Sequence, residues 1–289
     1  MRLATWNVNS LPARLPRVLE WLERVGPDVL CIQETKVADA AFPFGELQEL
    51  GYEAAADGGG AYNGVAILSR VGLEEVARGF EGEPGFPDPE RRSISASCAG
   101  IRVWSVYVPN GRSLDSPHLQ YKLAWLEALR RAAAGDLAAG RALAVCGDFN
   151  VAPTDADVWD PAAFAGSTHV SEPERAAIRG LLELGLSDLQ PRALKGEPFT
   201  YWDYRAGMFH QDLGMRIDLV LANDPVADRV RAAWVDREAR KGTGPSDHAP
   251  VIVDLDAAPD GDIGPVVPPP SARPVRKGSV RLPQAPAAE

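Results

Sequence analysis

The sequence lacks the features that mark membrane-spanning, exported or zinc-binding proteins. It has no apolar run of the roughly 18 residues that a membrane-spanning helix needs. It has no basic N-terminal segment followed by an apolar stretch, so we expect neither a signal peptide nor a membrane partner. Its four histidines and three cysteines form neither a His-x-x-x-His nor a Cys-x-x-Cys pattern, which argues against a zinc site.

Cysteine is scarce, and none of the three cysteines has a paired spacing. Cys31, Cys98 and Cys146 each lie inside an apolar, strand-like run. We interpret them as small buried hydrophobic residues, and we expect a reducing, cytoplasmic environment.

An excess of positive charge is also absent, because the formal net charge is −10. This argues against a surface coated in non-specific positive charge, although one basic face can coexist with an acidic body. Nucleic acid therefore remains open as a substrate. The acidic balance also leaves many carboxylates available for a hard cation.

The length and composition favour one large folded domain. The chain has 289 residues, of which 45% are hydrophobic, and it shows no repeat of solenoid period. From about Ala257 onward the composition changes to proline, alanine, glycine and scattered charge. We therefore expect a folded domain over residues 1–256 and a disordered Pro/Ala-rich tail over residues 257–289.

Apolar runs between turn residues predict a series of strands interrupted by three helices. The predicted strands cover residues 1–10, 28–32, 64–69, 93–98, 101–108, 199–204, 216–222, 230–235 and 251–255, with one more that begins at 142. The predicted helices run from Pro12 to Gly26, from Ser116 to the glycines at 135 and 140, and from the Ser171-x-x-Glu174 capping box to about Leu184. The stretches 51–63, 80–92 and 205–214 are predicted as connections.

One predicted strand, in the stretch Ala142–Pro153, ends in the turn Gly147-Asp-Phe-Asn150. Alternate residues of an extended chain point the same way, so Asp148 and Asn150 can serve one site. Taken alone, the turn has a plainer explanation, in which both side chains bond their own backbone.

Other predicted strand ends carry polar groups of the same kind. They are Asn7, Glu34, Tyr107, Asp218, Asp247 and His248. Asp218 interrupts an otherwise apolar strand, where a carboxylate is costly unless it is paired. His248 is a candidate partner, and such a pair would fix the tautomer of the imidazole and raise its basicity.

A carboxylate and an amide at neighbouring strand ends, Glu34 and Asn7, indicate a site for Mg²⁺, with Mn²⁺ as a possible substitute. One hard cation, an Asp–His pair, the Asp148–Asn150 pair and a phenol suit hydrolysis of a phosphodiester. The cation and a charged histidine would neutralise the phosphate, while Asp148 would orient or deprotonate a water molecule.

Each element also has an ordinary structural explanation. Tyr107 could be a strand aromatic with its hydroxyl in water, Glu34–Lys36 a solvated turn, and Ser246–His248 a loop cap. We expect the remaining histidines, at 118, 169 and 210, to face solvent. One shared site explains the polar strand ends jointly, whereas the ordinary explanations must all hold independently.

Seven short motifs then place the chain beside a known family. They are Trp6-Asn-Val-Asn9, Gln33-Glu-Thr-Lys36, Tyr62-Asn-Gly-Val-Ala-Ile67, Tyr107-Val-Pro-Asn-Gly111, Gly147-Asp-Phe-Asn150, Arg216-Ile-Asp218 and Ser246-Asp-His248. In order and spacing they resemble the exonuclease III family of the endonuclease/exonuclease/phosphatase superfamily, from residue 2 to about 256. The resemblance implies an α/β (α+β) fold, a four-layered sandwich of two mainly antiparallel sheets packed face to face with helices outside.

The resemblance also implies roles for the polar residues. The implied metal group comprises Asn7, Glu34, Asp148, Asn150, Asp247 and His248, with Glu34 as the main ligand. The implied catalytic group comprises Tyr107 on the scissile phosphate, Asp148 on the attacking water, Asn150 as an orienting amide, and the Asp218–His248 pair. Whether Asp148 or His248 is the general base stays open.

The implied activity is Mg²⁺-dependent hydrolysis of duplex DNA 5′ to abasic sites, with removal of 3′ blocking groups or nucleotides, by a monomer. Two alternatives stay open. One is a phosphoesterase of the same fold that acts on a small phosphorylated or lipid substrate. The other is a catalytically silent DNA-binding relative, against which the presence of Glu34, Asp148 and His248 argues.

Three sets of residues favour DNA as the substrate. The candidate DNA-binding residues are Tyr201, Trp202, Met215 and Ile217 in an apolar pocket, the basic Arg14, Lys36, Arg91, Arg92 and Arg205, and Asn63 with its neighbouring glycine. Trp202 and Met215 could equally be ordinary core residues.

The chain departs from the family pattern at two positions. Ser10 stands where we expect glycine after Asn9, and Met215 stands where some relatives have an aromatic residue. Methionine is softer and less shape-selective, so the discrimination of the pocket is weaker.

Overall fold

The computed structural model describes residues 1–80 and 90–257. Most of the predicted 80–92 connection and nearly all of the predicted tail lie outside these residues. The expected domain boundary at residue 256 therefore stays a prediction.

The described residues form twelve strands and six α-helices. The strands are β1 Arg2–Asn7, β2 Val29–Gln33, β3 Glu53–Asp57, β4 Val65–Ser69, β5 Glu74–Arg78, β6 Ser93–Cys98, β7 Ile101–Tyr107, β8 Ala142–Asp148, β9 Leu186–Asp188, β10 Asp218–Asn223, β11 Val230–Val235 and β12 Val251–Leu255. The helices are α1 Leu11–Val25, α2 Phe44–Glu49, α3 Pro117–Ala138, α4 Glu172–Leu182, α5 Met208–Gln211 and α6 Asp224–Ala227. Short 3₁₀ turns cover residues 39–41, 155–157, 161–164, 205–207 and 237–240.

The strands form two six-stranded sheets. The first has the order β11-β12-β1-β2-β4-β3, and the second has the order β5-β6-β7-β8-β10-β9. Near the centre of each sheet lies one parallel pair, β1 with β2 and β7 with β8. The crossover of each parallel pair contains a helix, α1 or α3, as such a connection requires. The other paired strands are antiparallel.

Three layers of apolar side chains separate the four layers of backbone. Between the sheets lies a cluster that includes Leu3, Cys31, Ile67, Val103 and Cys146. The outer face of the first sheet packs against α1 and α2, and the outer face of the second packs against α3 and α4. The predicted four-layered sandwich of two mainly antiparallel sheets is confirmed. All three cysteines are free and buried, as predicted.

The ends of the three long helices follow from local chemistry. Gly26 adopts a left-handed conformation, with φ 57°, and its N–H bonds the carbonyl of Leu22, which ends α1. The Ser116 hydroxyl accepts from the N–H of His118 at the start of α3. The predicted capping box of Ser171 and Glu174 begins α4.

Several shorter elements differ from the sequence prediction. The stretch 51–63 contains strand β3, which is alanine-rich and lacks the β-branched residues that favour strands. The exposed edge strand β5 has no apolar alternation, and the three-residue β9 is too short to show one. Residues 199–204 are not a regular strand, because Tyr201 makes only isolated bridges to Met215 and His248. No helix in the described part of the chain is long and apolar enough to cross a membrane.

The loop between β1 and α1 has an unusual backbone at Ser10. Its φ is 88° and its ψ is 103°, a conformation that favours glycine. Three backbone bonds fasten the loop to the chain after β2, the central one from the N–H of Ser10 to the carbonyl of Glu34, with N···O 2.8 Å. The strained residue is therefore held by the same turn that carries Glu34.

We predict that Ser10→Gly raises the free energy of unfolding by about 1 kcal/mol, because relief of strain exceeds the added entropy of the unfolded chain. Urea denaturation measures the change. The control is Ser113→Gly in an exposed loop, where φ is not positive and a small loss of stability is expected. Equal destabilisation by the two substitutions would contradict the assignment of strain to Ser10.

Candidate active site

The ends of strands from both sheets meet at one buried amide. Asn7 ends β1, Glu34 follows β2 and Asp148 ends β8, so the first two residues belong to one sheet and the third to the other. The amide nitrogen of Asn7 donates to Glu34 Oε1 and to Asp148 Oδ2, at 2.9 Å in each case. Asn7 is fully buried. The sequence-predicted residues Asn7, Glu34 and Asp148 are therefore brought together.

Glu34, Asp148 and His248 form a group that could hold a metal ion. One ligand atom of each lies within 4.8 Å of the others. The two carboxylates suit a hard divalent cation that keeps water ligands, and the imidazole lies beside them. Asn7 presents its nitrogen to both carboxylates, and its oxygen accepts from the N–H of Asn9. In this arrangement Asn7 positions the carboxylates.

The predicted Asp218–His248 pair is present. Asp218 Oδ2 lies 2.8 Å from Nδ1 of His248, and Nε2 of the same ring lies 3.8 Å from Asp148 Oδ2. Burial alone would lower the pKa of His248, but the carboxylates of Asp218 and Asp148 outweigh it and raise the pKa to about 10. His248 is therefore a charged imidazolium, aimed at Asp148.

Strand pairing places Asp218 for this contact. It opens β10 directly opposite Asp148 of β8. The hydroxyl of Thr200 accepts from the backbone N–H groups of Ile217 and Asp218, at 3.1 Å each. Thr200 was not among the predicted site residues, because one threonine in a predicted strand carries no sequence signal of such a role.

Two further contacts hold the backbone of His248. The hydroxyl of Ser246 accepts from the N–H of His248 and donates to the carbonyl of Asn7. The indole of Trp6 donates to the carbonyl of His248, with N···O 3.2 Å. Both residues belong to the recognised motifs, and the structure assigns them a positioning role.

Burial raises the pKa of Asp148 to about 7, with the charges of Asp218 and Glu34 adding to the effect. The charge of His248 and the bond from Asn7 oppose it. Burial alone would also raise the pKa of Glu34, but the hydrogen bonds from Asn7 and Lys36 outweigh it, and the pKa of that carboxyl is lowered. The site thus holds one ionised carboxylate beside one that exchanges a proton near neutral pH.

Lys36 contacts the carboxylate of Glu34 and also lies near the protein surface. Its ammonium is 2.6 Å from Glu34 Oε2 and donates to Asn9 Oδ1 at 2.7 Å. The amide nitrogen of Asn9 donates in turn to Asp247 Oδ1, at 3.1 Å. Asp247 is linked to Glu34 through this chain and is not part of the three-residue group.

Tyr107 ends β7 beside the same carboxylates. Burial raises the pKa of its phenol well above the ordinary value, and the charges of Glu34 and Asp148 raise it further. The guanidinium of Arg92 lies 4.5 Å from the centre of the Tyr107 ring. The phenol therefore stays protonated and can donate a hydrogen bond into the site.

Asn150 follows Asp148 by two residues, and its side-chain nitrogen donates to the carbonyl of Val108 at 3.0 Å. Its Oδ1 lies 3.2 Å from Nε2 of His169. The expectation that His169 faces solvent is therefore wrong, and burial lowers the pKa of this ring to about 4. His118 and His169 are both half-buried, so the expectation is confirmed for His210 alone, which is exposed.

The predicted apolar pocket is only partly assembled. Tyr201, Met215 and Ile217 lie in one small cluster with Ala152 and Val158. The Tyr201 ring is 5.0 Å from the ring of His248, so this cluster borders the polar site. Trp202 is fully buried, packs edge-on against Phe209 and presents no surface to DNA. Trp202 is therefore a core residue, as the plainer explanation held. Met215 and Ile217 are buried too, so Tyr201 is the one member of the predicted pocket that is partly exposed.

Of the predicted basic residues, Arg14 lies in α1 and the others lie in loops or turns, and most have protein partners. Arg14 contacts the hydroxyl of Tyr204, Arg91 pairs with Asp57, and Arg92 pairs with Glu90. Arg205 is exposed and pairs with Asp203. Asn63 has φ 54°, and its carbonyl accepts from the N–H of Lys36, which fixes the turn beside Gly64.

The fold and this constellation define an enzyme class. The chain matches the Endonuclease/Exonuclease/phosphatase family over residues 4–248 and belongs to it. Within that family it is similar to exodeoxyribonucleases and AP endonucleases. An exodeoxyribonuclease of Bacillus subtilis (strain 168) is 30% identical over 260 residues, which cover 87% of this chain and 98% of that protein.

Two solved structures extend the likeness. The 3′-5′ exonuclease NExo from Neisseria meningitidis is 41% identical, with a TM-score of 0.85 over 89% of this chain and 100% of that one. An AP endonuclease from Archaeoglobus fulgidus is 38% identical, with a TM-score of 0.83 over the same shares. The resemblance to the exonuclease III family predicted from the motifs is confirmed.

We predict that Asp218→Asn lowers the pKa of His248 toward its ordinary value of about 6.5, because a carboxylate that raises it is lost. Since the folded-state pKa is raised, the charged pair stabilises the fold fully below about pH 6.5, and this contribution is lost as the pH rises through about 10. A histidine-ring NMR titration of metal-free protein measures the pKa.

The control for this titration is Asp254→Asn. Asp254 is also a buried strand carboxylate, but it pairs with Arg2 and lies outside the site. An unchanged pKa of His248 in the Asp218→Asn protein would contradict the assigned pairing.

Proposed function

We propose that this protein is a Mg²⁺-dependent DNA repair nuclease that cuts duplex DNA 5′ to abasic sites and removes blocking groups or nucleotides from 3′ ends. The observation that carries the proposal is the convergence of Glu34, Asp148 and His248 beside the apolar cluster of Tyr201, Met215 and Ile217. The polar group of Glu34, Asp148 and His248 suits a phosphodiester, and the neighbouring apolar cluster suits a sugar without a base.

The names of the similar proteins support the same class. They describe an exodeoxyribonuclease, a 3′-5′ exonuclease and an AP endonuclease. The predicted class of enzyme, a phosphodiester hydrolase that acts on DNA, is confirmed by this agreement. The balance between the endonuclease and exonuclease activities belongs to the proposal.

The donor set fits Mg²⁺. Glu34 is ionised and lies at the rim, where Lys36 supplies the positive charge beside its Oε2. Glu34 and Asp148 would hold the ion, and His248 and Asp247 would lie around it. When bound, the ion supplies positive charge to the phosphate oxygens. Mn²⁺ would substitute because it takes the same oxygen ligands.

The side chains of the site would have separate roles in positioning the water molecule and stabilising the phosphate. Asp148 lies between the amide of Asn7 and the imidazolium of His248, so it can hold a water molecule for attack on phosphorus. His248, kept charged by Asp218, would stabilise the negative charge that develops on the phosphate. Tyr107, at the end of β7, and Asn150, two residues after the end of β8, would donate hydrogen bonds to phosphate oxygens.

Recognition of the lesion would depend on the apolar cluster and the basic loops. A baseless deoxyribose presents apolar surface that the half-buried Tyr201 can cover, with Met215 and Ile217 buried beneath it as support, whereas a stacked base must first leave the helix. Arg91 and Arg205 are the most exposed of the predicted basic residues and would contact phosphates. We expect the protein to act as a monomer and to bind duplex DNA more weakly as salt rises.

The direct test is cleavage of end-labelled duplexes that carry one abasic analogue, with Mg²⁺ and with chelator. We predict a single cut 5′ to the abasic position with Mg²⁺ and none with chelator. Cleavage of a small phosphorylated or lipid substrate, with abasic DNA left intact, would overturn the proposal. DNA binding without any cut would favour a silent DNA-binding relative.

We predict that Glu34→Gln raises the Mg²⁺ concentration needed for half-maximal cleavage by about tenfold or more, because one charged ligand is lost. A Mg²⁺ titration of the cleavage rate measures the change. Glu20→Gln, at an exposed position of α1, is the matched control and should leave the titration unaltered. Equal Mg²⁺ requirements in the two variants would remove Glu34 from the metal group.

A further inference from the structure

A buried ion pair lies behind the active site and links α3 to α4. Lys122 of α3 and Glu174 of α4 are both fully buried, and their charged groups are in hydrogen-bond contact. The ammonium of Lys122 also donates to the carbonyl of Asn150, with N···O 2.6 Å. Glu174 accepts from the N–H of His169 at 3.0 Å. One ion pair therefore fixes the backbones of both Asn150 and His169.

His169 has a strained backbone that the surrounding contacts impose. Its φ is 75°, in the region that favours glycine. Its N–H is bound by Glu174, and its carbonyl accepts from the N–H of Ala152 at 2.8 Å. A non-glycine residue held in this way next to an active site is a reason to look for a function.

The ring of His169 lies between two carboxamides. Its Nε2 is 3.2 Å from Asn150 Oδ1 and 3.4 Å from Asn110 Nδ2, and its Nδ1 is 3.0 Å from the hydroxyl of Thr168. Because the nitrogen of Asn150 donates to the carbonyl of Val108, its oxygen needs a donor. A neutral ring with hydrogen on Nε2 supplies that donor, while Nδ1 accepts from Thr168. In this tautomer Nε2 does not accept from Asn110 Nδ2, which lies at the longer distance of 3.4 Å.

With both ends of the carboxamide engaged, the plane of Asn150 is fixed. The carbonyl of Val108 accepts one of the two side-chain amide hydrogens of Asn150, which leaves the second free to donate into the active site. Without the ring, only the bond to Val108 would restrain the carboxamide, and its orientation would be lost for part of the time. A group that is correctly placed before the reaction stabilises the transition state more than one that must reorient.

We propose that His169 is a positioning residue that holds the carboxamide of Asn150 for phosphodiester cleavage. It acts through Asn150 and does not touch the substrate. This inference rests on the proposed function for its kinetic consequence, but the contact between the ring and the carboxamide can be tested without activity.

The kinetic test compares His169→Leu with His169→Gln on the abasic duplex. Leucine removes the donor, so kcat should fall about tenfold with KM within about twofold, since one oriented hydrogen bond is lost. Glutamine places an amide N–H near the position of Nε2 and should restore most of kcat. In an Asn150→Ala background, His169→Leu should cause no further loss. His118→Leu, at a half-buried histidine of α3, is the matched control.

The second test observes Asn150 directly by NMR of the side-chain amides of asparagine, with Asn150→Ala to identify the signal. His169→Leu should shift this signal and speed its hydrogen exchange, whereas His118→Leu should not. This readout stands even if the wild-type protein leaves abasic DNA uncut, which would count against the proposed function alone. An unchanged Asn150 signal, an equal loss of kcat with glutamine, or additive losses in the double variant would overturn the role of His169.

Discussion

The active site depends on one amide that joins two sheets. The nitrogen of Asn7 is shared between Glu34, from the same sheet, and Asp148, from the facing sheet. Two carboxylates brought this close repel each other and lose their solvation when they are buried. The Asn7 amide offsets part of that cost while fixing the separation. The packing of the whole sandwich therefore sets the spacing of the groups that would receive a phosphate.

The remaining charge is balanced from opposite sides of the site. Lys36 compensates Glu34 at the rim, and His248, held charged by Asp218, faces Asp148 in the interior. Farther from the surface, the charges of Lys122 and Glu174 neutralise each other, and the Lys122 ammonium donates to the backbone carbonyl of Asn150. The bonds from Asn7 and Lys36 lower the pKa of Glu34, the carboxylates around His248 raise the pKa of its ring, and burial raises the pKa of Asp148.

The parts of the site that the sequence predicted share one property: each residue lies at or beside one end of a clearly apolar strand. Asp148 and Asp218 interrupt or end such strands, so their side chains had to meet a polar partner, and their register places them opposite each other. The sequence left Trp202 open between pocket and core, and it wrongly placed His169 in solvent, because local sequence does not show what covers such a residue. Trp202 is enclosed by Phe209, and the contact of His169 with Asn150 arises only from the packing of α3 and α4. Strand β3 was missed because its pairing with β4, rather than its own composition, makes it a strand.

The central claim is that Glu34 and Asp148 converge to bind one divalent cation at the edge of both sheets. Anomalous diffraction from crystals soaked in Mn²⁺ tests it most directly. The account predicts an anomalous peak within bonding distance of a Glu34 carboxylate oxygen and close to Asp148, which is lost in Glu34→Gln crystals. A peak elsewhere, or one that persists unchanged in the Glu34→Gln protein, would contradict it.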